Sequence, residues 1–120
     1  MRKYKKLNVI SYYDKCWKYE FFFCLGWPID VFEKYMLDKH NARAANGVGG
    51  LGMCFRFDER YSIIWTRDKN NSSTLAHECI HAATHCLEMS GMPPTDSNND
   101  EALAYVVTCA MREAMQEKGR

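Results

Sequence analysis

The stretch from Leu75 to Ser90 constrains this chain more than any other, because its apolar residues recur at helical spacing between clear start and stop signals. Gly91 suits the position just past a helix end and Pro93-Pro94 forbid continuation, while Ser72, Ser73 or Thr74 can cap the start. At about 100° per residue, Cys79, Ala82 and Cys86 fall within roughly 40° of Leu75 and form a core stripe with it. His77, Glu78, His81 and His85 fall on a different face, so the core does not swallow the histidines. Such a helix is anchored on one side and can present imidazoles to a cleft on the other.

His77-Glu78-Cys79-Ile80-His81 is an HExxH pattern inside that helix. Four residues make about one turn, so His77 and His81 project together and can grip one ion. Glu78 lies beside them without being a ligand, placed to handle the proton of a metal-bound water. A catalytic zinc takes three protein ligands and keeps one position open. His85 is excluded as the third, because it lies eight residues from His77, about 12 Å along the axis; it is either a cleft residue or an exposed helix histidine. Cys79 points to the core stripe, which argues against a closed, cysteine-rich structural site. Glu101 is the better third ligand. It falls in the first turn of a second helix that starts at Ser97-Asn-Asn-Asp100 and runs to about Lys118, after a loop long enough to fold that helix back antiparallel.

The remaining chain is read as a small single domain covering residues 1–120. Its hydrophobic fraction of 47% supports a core, and a net charge of +1 gives no global field toward nucleic acid or membrane. The basic start, Met1 to Lys6, reads as a solvated terminal strand, and no apolar run approaches the ~20 residues a membrane span needs. The start also lacks a signal-peptide pattern. Six cysteines without a CxxC pair read as free thiols in a reducing cytoplasm. Residues 7–25 suit one or two strands, 30–40 a short helix, and 46–52 a flexible glycine-rich loop. Met53–Phe57 and Tyr61–Thr66 read as an antiparallel hairpin turning at Asp58-Glu59-Arg60. The expected class is α+β.

HExxH followed by a glutamate twenty residues beyond the second histidine resembles the gluzincin metallopeptidases. Glu101-Ala-Leu-Ala104 is also similar to the ExxA element of small intracellular zincins, including phage and bacterial peptidases of the ImmA/IrrE group. The resemblance covers residues 61–112. It implies a minimal zincin-like domain: a small, mainly antiparallel sheet whose edge strand packs on the HExxH helix, with a C-terminal helix bearing the glutamate. It implies zinc held by His77, His81 and Glu101, and peptide-bond hydrolysis with Glu78 as base and then acid. A protein or peptide substrate would pair along an edge strand, a place that Tyr61–Thr66 occupies; a plain core strand with Ile63 and Trp65 inward is the other reading of that segment. A phage-encoded relative would work in the host cytoplasm.

Two departures bear on the site. Thermolysin-type members carry an acidic residue four positions after the ligand glutamate, and Tyr105 stands there; Asp96 or Asp100 could orient an imidazole instead. The oxyanion donor is open between Tyr105 and His85, and Tyr105 suits packing equally well. Imidazole and carboxylate also accept divalent metals other than zinc. The alternative reading is a non-proteolytic binding module, a phage-type regulator or inhibitor that keeps the fold and docks on a host protein.

Overall fold

Tyr19–Leu25 forms a strand with two apolar faces, Tyr19, Phe21 and Phe23 on one and Phe22 and Cys24 on the other. Such a strand needs cover on both sides. The computed structural model, which describes residues 7–43, 50–92 and 99–118, supplies it. In chain order the elements are β1 (Ile10–Asp14), β2 (Tyr19–Leu25), α1 (Ile29–His40), β3 (Gly52–Phe57), β4 (Tyr61–Thr66), α2 (Ser72–Met89) and α3 (Asp100–Lys118). The sheet order is β1-β2-β4-β3, with β2 and β4 parallel and the two outer pairings antiparallel.

One face carries α1. Its Val31, Phe32 and Met36 pack with Cys24, Trp27, Ile63 and Trp65, and Phe32 stacks on Trp65 at 5.8 Å between ring centroids. The other face carries α2 and α3, whose Leu75, Cys79, Ala82, Cys86, Val106, Ala110 and Ala114 pack with Tyr19, Phe21, Phe23 and Ile64. The core stripe expected on α2 is therefore the one that is buried, and the six cysteines are free thiols.

Two expectations change. Tyr61–Thr66 is an interior strand between β2 and β3, so among the described residues the sheet edge beside it belongs to β3. The signal lay in the segment itself: Ser62 to Thr66 are all buried, and a near-continuous apolar run marks a strand covered on both faces. The start of α2 is capped by Asn71, whose side chain accepts a 3.1 Å bond from the Thr74 N–H; Ser72, Ser73 and Thr74 lie inside the helix. At the other end the expectation for Gly91 is met. With φ at 78°, it lets Gly91 N–H reach Glu88 O and Met92 N–H reach Leu87 O, a paired closure of the last turn. The basic N-terminus, most of the 46–52 loop, Pro93-Pro94, Asp96 and Ser97 lie outside the described residues.

Candidate metal centre

The helix that bears His77 and His81 is laid along β3 by a glycine. A Cβ on Gly52 would meet Thr74 Cγ2 at 2.6 Å, the Trp65 carbonyl at 3.0 Å and Glu78 Cγ at 3.1 Å. Only a residue without a side chain lets the first turns of α2 sit this close to the sheet edge. Glu78 is consequently 7% exposed, while His77 and His81 are exposed on the outer side of the same turn. A cleft of about 380 Å³ opens here, lined by Leu51, Gly52, Ser73, Thr74, His77 and Glu78.

The imidazoles are already paired. Nε2 of His77 and Nε2 of His81 stand 3.3 Å apart, with the rings at 78° to each other. Two nitrogens bound to a tetrahedral zinc at 2.0–2.1 Å lie about 3.3 Å from one another, so the pair fits two corners of that geometry. In the protein alone, one imidazole N–H can bridge to the other's lone pair across the same gap. Burial and the neighbouring charges of His77 and Arg56 hold the His81 pKa below its ordinary value. Burial raises that of Glu78, opposed by the charge of His77. Burial, with the Glu78 carboxylate nearby, pushes the Cys54 thiol up to about 12.

β3 runs on along α2 beyond the cleft. Cross-strand register pairs Gly52 with Thr66, Cys54 with Ile64 and Arg56 with Ser62, which puts these three β3 residues on the α2 face. His85, one turn beyond His81, is anchored from beneath. Its Nδ1 shares a 2.6 Å hydrogen bond with the buried Tyr19 hydroxyl, which also bonds Ser62 Oγ at 2.5 Å. Its Nε2 faces Asp58 Oδ1 at 3.7 Å. His85 is thus half-buried, tied to the sheet at one ring nitrogen and facing an exposed carboxylate at the other.

Glu101 and Tyr105 lie elsewhere. Arg60 bonds the carbonyls of Trp17, Lys18 and Met89, so the C-terminal end of α2 sits at the β1–β2 turn. The start of α3 belongs to this end: Tyr105 is 61% exposed and feels Cys109, Cys16 and Asp14. Met89 is eight residues past His81, about 12 Å along the axis. Glu101 is exposed in the first turn of α3, and among the described residues no third His, Cys, Asp or Glu joins the imidazole pair in a metal-holding group. Nor does Tyr105 reach that pair.

Arg56 is the groove residue that sequence reading missed. Its position in a period-2 strand was legible, but which face looks toward the histidines depends on strand register. No family model matches the chain, and no curated protein or solved structure is significantly similar to it.

Proposed function

We propose that this protein is a zinc-dependent hydrolase of peptide bonds. The observation that carries the reading is the 3.3 Å separation of the His77 and His81 Nε2 atoms, beside a buried carboxylate and an open cleft. His77 and His81 would supply two ligands. Glu101 would supply the third, which asks the first turn of α3 to approach the pair. Zinc held there would supply Lewis acidity toward a water and a substrate carbonyl. Glu78, held against Gly52, would take the water's proton and pass it to the leaving amine. β3, as the free edge beside the cleft, takes the substrate-pairing role first assigned to Tyr61–Thr66, offering unpaired backbone groups to an extended peptide.

Elemental analysis and chelator competition on the full chain test the metal. The expected result is one zinc per chain, lost in His77→Ala and His81→Ala. Glu101→Gln should weaken zinc by about 10-fold or more if it is a ligand; unchanged affinity removes it from the set. Glu78→Gln should keep the metal and lower hydrolysis of a cognate protein by about 10²–10⁴-fold.

A second reading has a specific observation behind it, since the described residues bring together only two of the three expected ligands. In that reading the chain is a non-proteolytic binding module, such as a phage-type regulator or inhibitor, and Glu78→Gln leaves its partner binding intact.

A further inference from the structure

Beyond His81 the seam between α2 and β3 runs on outside the cleft, and its side chains change character. Arg56 and Ser62 are cross-strand partners, and Ser62 is tied through Tyr19 to His85, so Arg56 stands on the groove side at the level of His81 and His85. It is exposed, and its charge is felt at His81. Among the described residues no carboxylate forms an ion pair with it.

His85 complements it. Tyr19 is fully buried and holds Nδ1 from below. In the tautomer with its proton on Nε2, His85 accepts from the Tyr19 hydroxyl at Nδ1 and turns its N–H toward the Asp58 carboxylate, which can only accept. That tautomer offers an N–H on the side away from the buried Tyr19 hydroxyl. Asp58 meets it loosely, at 3.7 Å, from a side chain that is 95% exposed. The chain's own carboxylate thus occupies, without a hydrogen bond, the direction in which a ligand's carboxylate would be received.

We propose that Arg56 and the Nε2–H of His85 form a carboxylate-binding subsite one turn beyond His81, selecting peptides with an acidic side chain or a free C-terminus on that side of the cleft, with Asp58 as a displaceable competitor. The chemistry fits the parts. A guanidinium offers a planar fork to a carboxylate, and a second donor held on a buried hydroxyl fixes its direction. The assignment of these carboxylates to a substrate rests on the hydrolase reading; the recognition itself does not.

The test uses the full chain, both zinc-loaded and after chelator treatment, titrated by NMR with three probes: acetyl-tetraalanine amide, acetyl-tetraalanine with a free carboxylate, and acetyl-trialanyl-glutamate amide. Either acidic probe should bind about tenfold tighter than the neutral amide and shift the Arg56 Nε–H and His85 Nε2–H signals. Which one does so tells a chain terminus from an acidic side chain. Arg56→Gln should bring all three probes to the neutral level, Arg56→Lys should restore part of the difference, and Asp58→Asn should strengthen acidic binding several-fold. Equal binding of all three, or discrimination unchanged in Arg56→Gln with the fold intact, overturns the subsite. Discrimination that persists in a chain taking up no zinc keeps the subsite and sinks the hydrolase; zinc uptake without discrimination does the reverse.

Discussion

Gly52 shows how much a single residue decides. Its missing side chain is the space in which Thr74 and Glu78 lie, and two of the three atoms a Cβ would strike cannot easily retreat: the Trp65 carbonyl is backbone, and Thr74 is branched in the first turn of α2. Gly52→Ala should therefore destabilise the fold by about 1–3 kcal/mol, measured by urea unfolding. It should also push Glu78 away from the His77 side of the cleft, so the Glu78 carboxyl, raised by burial, should titrate closer to 4.5 in the variant than in the parent. An unchanged midpoint in a destabilised protein would mean that the glycine serves packing alone. At this scale the sequence was informative about type and blind to proximity. HExxH names the residues, but the glycine that seats them is 25 positions away from His77 and carries no motif of its own.

At the scale of elements, Arg60 is the tie. It closes the β3–β4 hairpin in a left-handed conformation, φ 71°, and its guanidinium gathers the Trp17, Lys18 and Met89 carbonyls and the Ser90 hydroxyl. One cation thus joins two hairpin turns to the C-terminal end of α2, where free carbonyls concentrate negative charge. Arg60→Ala should cost about 2–3 kcal/mol, since several charge-assisted bonds are lost at once. Arg60→Gly loses the same bonds but relieves the left-handed backbone, so it should be less destabilising than the alanine by about 1 kcal/mol. Thermal midpoints of the two variants check the order; the reverse order would mean that the left-handed backbone at this position costs the alanine nothing. The hairpin and the end of α2 were legible from the strand-like segments flanking Asp58-Glu59-Arg60 and from Gly91, whereas the start of α2 was not, since Asn71 caps it and Ser72 to Thr74 lie inside. The tie was not, because its acceptors are backbone carbonyls that any residue provides.

For the whole molecule, the α1 face of the sheet holds a pH-sensitive group. His40 lies between the Tyr35 and Tyr61 hydroxyls, each 3.3 Å from a ring nitrogen, and beside Phe57. Burial lowers its pKa below 6.5, so the unfolded chain binds this proton more readily than the folded one. The stabilisation is complete above 6.5 and fades as pH falls from there toward the lower folded pKa. His81, also lowered, adds a slope of the same sign. Thermal midpoints should drop between pH 7 and 5, and His40→Gln should flatten part of that drop; an identical slope in the variant would clear His40 of the effect. The chain by itself determined the helix faces, the HExxH pair and the α+β class, because periodicity and local caps act over a few residues. Only the tertiary structure decided that β4 is interior and β3 the edge, that Arg56 comes near His81, and that no third ligand joins the imidazole pair among the described residues. Those outcomes turn on strand order, register and the direction of a helix return. Each is set by burying both faces of one sheet at once, which no local pattern encodes.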